Sequence, residues 1–85
     1  MIVPTVHMNG TSKARLIETL CAASNALDAA YDALKEAAPN GRDYYPQGPS
    51  AINTATDEHT ARLRALDAIK GEIDRLTMAV DEQGN

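Results

Sequence analysis

Tryptophan and phenylalanine are absent from this sequence, and tyrosine occurs only three times. A chain so poor in aromatics must build its core from aliphatic side chains, which each bury less area. The single cysteine excludes an internal disulfide. No apolar run approaches the ~20 residues of a membrane-spanning helix, and the first residues lack a basic stretch followed by a long apolar one, so a cytoplasmic protein is expected. Basic charge is short as well. Eight Lys and Arg against twelve Asp and Glu leave a net charge of −4 and a pI near 4.9, which opposes the electrostatic attraction that duplex nucleic acid binding relies on. No His/Cys/Asp cluster has metal-ligand spacing, since His7 and His59 lie far apart, and no cofactor is expected.

Apolar content is present but of a particular kind. Of the 44% hydrophobic residues, fifteen are Ala, whose methyl groups bury little area. An 85-residue chain lies near the lower limit for a self-sufficient core, so help from a partner chain is expected, and the simplest partner is another copy.

The patterning reads as all-α with one domain spanning residues 1–85. Residues 1–11 form a short extended arm, because "MIVPTVHM" combines β-branched residues with a proline, and Asn9-Gly10 turns the chain. Thr11 or Ser12 caps a first helix over 13–37. Ile17, Leu20, Leu27, Tyr31 and Leu34 recur at three- and four-residue steps, with Leu16, Ala23, Ala30 and Ala37 widening the stripe on one flank. Pro39 and Asn40-Gly41 end the helix, Gly or Asn taking the left-handed conformation. After a loop over 38–50, a second helix capped by Ser50 runs over 51–81. Ile52, His59, Leu66, Ile73 and Val80 are spaced by seven. Glu58 with Arg62 and Lys70 with Asp74 are opposite charges four apart on a solvent face, adding ~0.3 kcal/mol per pair. Gly71 falls on the outer face, where it costs roughly 1 kcal/mol against Ala.

These segments fold back as an antiparallel helical hairpin that places Leu34 near His59, Leu27 near Leu66 and Leu20 near Ile73. Two helices do not enclose a core. The expected assembly is therefore a homo-oligomer, at least a dimer, most simply a twofold four-helix bundle.

Two segments carry candidate binding chemistry. In the loop, Asn40, Gly41, Arg42, Asp43, Tyr44, Tyr45, Gln47 and Gly48 combine flat aromatic faces, a guanidinium fork and open backbone, which suits a planar anionic metabolite such as a nucleotide. The same loop is also read as a cap on the bundle end, with Arg42 paired to Asp43. In the second segment, the turn Asn9-Gly10-Thr11-Ser12 opens a helix with Lys13 and Arg15 close by. Free amides, hydroxyls and the positive end of the helix dipole there suit a phosphate or carboxylate, although ordinary capping uses the same residues. In one hairpin the two segments lie at opposite ends, roughly 35–38 Å apart at ~1.5 Å per residue. In an antiparallel dimer the loop of one chain meets the turn of the other, giving two equivalent composite sites.

The remaining polar residues read as structural. His59 occupies a seam position and is bonded to Tyr31 or a loop carbonyl. Cys21 is a small packing residue, while Asp28, Asp32, Asp57 and Glu58 are solvated. No nucleophile, base and oxyanion donor come together, and no catalytic activity is expected.

The segments "HMNGTS" (residues 7–12) and "NGRDYYPQGP" (residues 40–49), joined by an Ala-rich helix, resemble those of small uncharacterised proteins encoded by tailed phages and prophages, over most of the chain. A looser similarity, of size, helical architecture and inferred ligand type, is to phage counter-defence sponges of the anti-CBASS and anti-Thoeris kind. Some of these are small oligomers that bind cyclic nucleotides or ADP-ribose-derived signals without cleaving them. The resemblance implies non-enzymatic sequestration of a nucleotide-derived immune signal in the host cytoplasm. The rival expectations are a protein-interaction module that presents Tyr44, Tyr45 and Arg42 to a host or virion protein, and a purely structural bundle.

Overall fold

Ser12 takes an extended conformation and its Oγ accepts the Arg15 amide at 3.1 Å, satisfying one of the donors that a helix start leaves open. From that cap α1 runs over Lys13–Glu36 in the computed structural model, which describes residues 1–84. Its last carbonyls are taken up locally: the Ala37 amide donates to Leu34 O at 3.0 Å and the Ala38 amide to Lys35 O at 3.2 Å. Lys35 in the last turn suits the negative end of the dipole.

The connection is more ordered than the loop expected from sequence. It contains a one-turn helix α2 (Gly41–Tyr44) followed by a 3₁₀ turn over Tyr45–Gln47, with Pro46 inside it. Asn40 is extended and Gly41 is the first helical residue of α2, so neither supplies the left-handed stop expected of them. Pro39 alone accounts for the break, because the residue before a proline is pushed out of the helical region. The left-handed residue is Gly48, at φ 108°. It reverses the chain into α3, Ala51–Asp81. Ser50 precedes α3 without a side-chain cap, and its carbonyl accepts the Thr54 amide at 3.2 Å in the first bond of the helix.

Helices α1 and α3 pack antiparallel, giving a rod of 61 × 20 × 17 Å. Leu34 and His59 meet as the register requires, through a 2.8 Å hydrogen bond. The interior is thin. Among the described residues only Ser24, Ala55, His59 and Val80 are buried, while Leu20, Leu27, Leu34, Leu63, Leu66 and Ile73 are all half-buried. The alanines expected to widen the α1 stripe, Ala23, Ala30 and Ala37, lie exposed in the single chain, beside the half-buried strip of Leu20, Leu27, Tyr31 and Leu34.

Candidate functional site

The N-terminal arm is held in place by the far end of α3. Gln83 uses both ends of its amide: Oε1 accepts the Val6 amide at 2.8 Å and Nε2 donates to Pro4 O at 2.6 Å. The Gln83 carbonyl accepts from Lys13 Nζ at 2.7 Å. An extended, proline-containing arm has no helix or sheet partner for its backbone, so these contacts supply what its own conformation lacks.

Between this arm and the start of α1 lies an open cleft of about 560 Å³, lined by Val6, His7, Met8, Gly10, Ser12 and Lys13. The turn at its floor is closed by the Gly10 amide donating to His7 O at 3.2 Å. A Cβ at Gly10 would sit 2.7 Å from the ring Nε2 of the exposed His7, so a side chain there would push that ring aside. Gly10, Ser12 and Lys13 thus line the cleft, with Asn9 and Thr11 exposed beside them.

Several of its polar groups already have partners. The Ser12 oxygen caps Arg15, Arg15 pairs with Glu18 along the helix, and one Lys13 donor goes to Gln83. An ammonium carries three donors, so Lys13 keeps two. Of the first amides of α1, that of Arg15 is taken by Ser12, and those of Lys13 and Ala14 remain available by the geometry of a helix start.

The loop candidates sit at the opposite end of the rod, beyond the 24 residues of α1, or about 36 Å at 1.5 Å per residue. Within one chain the two groups are not brought together. Asp43 does not pair with Arg42; its Oδ2 accepts from Asn40 Nδ2 at 2.9 Å across the first turn of α2. Arg42 is exposed and makes no ion pair among the described residues. Tyr44 is half-buried, whereas Tyr45 is 76% exposed. Gly41 and Gln47 are exposed and Gly48 is half-buried. The two tyrosines therefore differ: Tyr44 is half-buried at the hairpin end, and Tyr45 is exposed three residues along the chain from the exposed Arg42.

Away from both ends, a polar cluster bridges the helices. Ser24 Oγ donates to Asp74 Oδ1 at 2.6 Å, and Lys70 Nζ donates to Asp74 Oδ2 at 2.8 Å and lies 3.8 Å from Asp28. The hydrogen bond from Lys70, then that from Ser24, holds the Asp74 carboxyl below the usual carboxylate range. The bond to Asp74, with Asp28 nearby, raises Lys70 despite some desolvation. The expected pair of Lys70 with Asp74 forms and Asp28 is exposed as expected; through Ser24 and Asp28 the pair also ties α1 to α3. The signal that points to this cluster is Ser24, a polar residue in the same stripe as Leu20 and Leu27. The hold of Gln83 on the arm has no such signal.

Two expectations are corrected, and that for His59 is borne out with a different partner. Glu58 and Arg62 make no ion pair among the described residues. His59 is bonded to the Leu34 carbonyl near the end of α1, and because a carbonyl only accepts, Nε2 carries the proton. Cys21 is exposed, so it does not pack in the interior. Lys35 Nζ lies 5.9 Å from the centre of the Tyr31 ring, a weak cation–π contact on the surface of α1.

No group of three or more His, Cys, Asp or Glu placed to hold a metal ion occurs among the described residues, and no helix among them is long and apolar enough to cross a membrane. No family model matches the chain, nor does any curated protein or solved structure.

Proposed function

We propose that the protein is a non-enzymatic binding module that works as a homo-oligomer and sequesters an anionic small molecule. The carrying observation is the tip of the hairpin, where Tyr45 is 76% exposed and the exposed Arg42 makes no ion pair among the described residues. A guanidinium next to an open aromatic face is suited to a phosphate attached to a planar base. The cleft at the other end, with the first amides of α1 and the two remaining Lys13 donors, adds a second place for negative charge. In an antiparallel pair the tip of one chain stands beside the cleft of the other, so that one ligand spans both. The narrower class, a nucleotide-derived signal, rests on this chemistry and on the likeness to phage counter-defence sponges.

A second reading is favoured by the same exposure. The cleft lining does not include Arg42 or Tyr45, so the tip also fits the role of an anchor inserted into a pocket of another protein. Thermal shift measurements with cyclic dinucleotides, ADP-ribose and inorganic phosphate separate the two. Ligand at a hundred times its Kd adds about 2.7 kcal/mol to the apparent stability. That gain should vanish in Arg42→Ala and Tyr45→Ala while their unliganded melting temperatures stay at the wild-type value. No shift with any of these ligands, together with Tyr45-dependent capture of a protein, would transfer the tip to the second reading.

A further inference from the structure

The rod has two unlike long faces. At 3.6 residues per turn, Asp28, Asp32 and Lys35 fall on one side of the line along which α1 meets α3, and Ala23, Ala30 and Ala37 fall on the other. On α3 the corresponding division puts Asp67, Lys70 and Asp74 on one side and Ala65, Ile69 and Leu76 on the other. The Lys70–Asp28 approach of 3.8 Å and the Ser24–Asp74 bond of 2.6 Å fix how the sides match. They join the two charged flanks, which leaves the two apolar flanks together on the opposite face. Ile69 there is 47% exposed, and Ala23, Ala30, Ala37 and Ala65 are exposed as well. The charged exceptions are Glu58 and Arg62, toward the tip, and Glu72 at the margin.

We infer that this Ala/Ile/Leu face is where a second copy of the chain docks, by a twofold arrangement that turns two hairpins into one four-helix core. The inference deepens the homo-oligomer part of the function proposed above and rests on it. The surface area says how much is to be covered. A compact chain of 9.1 kDa exposes about 4,900 Å², and this one exposes 6164 Å², a surplus of about 1,300 Å². A stable interface takes about 800 Å² from each partner, so the surplus is of the right size for one partner, with the arm accounting for part of the remainder. The radius of gyration agrees, at 18.7 Å against about 12 Å for a compact domain of this length. The occupant is a second copy because the face is self-complementary in chemistry: small alanines on α1 let a helix approach to about 8 Å, and Ile69 and Leu76 on α3 supply side chains to fill the space beside them. The hand of the assembly is set by the same asymmetry, since the polar cluster must face outward.

Sedimentation or light scattering on the whole chain should give a mass of two protomers at tens of micromolar. Ala30→Arg and Ile69→Lys should halve that mass or weaken association at least tenfold, whereas Asp32→Lys on the polar face should leave it unchanged. Thiol labelling provides a measurement that keeps the fold intact. Cysteine in an Ala30→Cys variant should react at least tenfold more slowly than the native Cys21, which lies on the outer side. A monomeric wild type, or equal labelling rates at positions 21 and 30, overturns the inference. The ligand reading fails separately: a dimer with position 30 protected but no response to nucleotide refutes that reading and leaves this one standing.

Discussion

Replacing His59 with alanine tests whether the two helices are clamped where the register says they are. His59 is buried, at 7% exposure, and its Nε2–H donates to Leu34 O at 2.8 Å. Losing that bond costs about 1 kcal/mol, since Leu34 O keeps the Ala37 amide at 3.0 Å and is not orphaned. Removing a buried side chain of this size adds ~2–3 kcal/mol for lost contacts and the cavity left behind. The better helix propensity of alanine returns roughly 0.5 kcal/mol. The net loss is about 2.5–3.5 kcal/mol, which lowers the melting temperature of a domain this small by more than about 10 °C. Circular dichroism melts at one fixed protomer concentration measure it, because association makes the midpoint concentration-dependent. Glu58→Ala, one residue away and exposed, serves as the control and should shift the midpoint by less than 3 °C or so. His59→Gln keeps an N–H donor and should recover about 1 kcal/mol relative to alanine. A His59→Ala melt within 3 °C or so of wild type would refute the clamp, and a glutamine variant no better than alanine would refute the bond.

Gly71 is half-buried in the middle of α3, and a Cβ there would meet only the end of the Arg75 side chain, at 3.4 Å. Gly71→Ala should therefore stabilise the protein by about 1 kcal/mol in chemical denaturation; a destabilised variant would mean that this stretch of α3 is packed against something. The Asp74 carboxyl is held below its ordinary value, so its contribution is complete above the unfolded carboxylate range and is lost as pH falls through the lowered folded value. Melting temperature followed from pH 7 to pH 2 should drop in that acid window, and Asp74→Asn should flatten the drop; an unchanged acid limb in the variant would remove Asp74 from the helix–helix tie.

Both long helices were readable because periodicity reports one face of one helix, and the Ile17–Leu34 and Ile52–Val80 stripes are strong. What lies across a seam is not reported in the same way. Lys70 and Asp74 look like an ordinary i,i+4 surface pair, and only the partner helix, bringing Ser24 and Asp28, makes them a bridge. The tip was read as a loop because Gly, Pro and Asn dominate it, yet α2 and the 3₁₀ turn form within it: Pro46 is well suited to the start of a tight turn, and Gly48 takes the left-handed conformation assigned by sequence to Asn40-Gly41. The candidate site was half legible. The turn before α1 does border a cleft, but the arm that forms its other wall is placed by Gln83, a residue 70 positions from Lys13 whose side chain is ordinary in every local pattern.

The hold of Gln83 on Pro4 and Val6 also fixes how the rod responds to force. Tension applied near the two ends of the chain acts at the same end of the molecule, across the arm contacts, and peels α1 from α3 instead of shearing them along their length. Once the Gln83 bonds part, the load falls on one helical turn at a time, advancing toward the tip through Ser24–Asp74 and then His59–Leu34. The hairpin is thus a zipper with a catch at its open end, mechanically soft when pulled by its ends and much stiffer along its long axis.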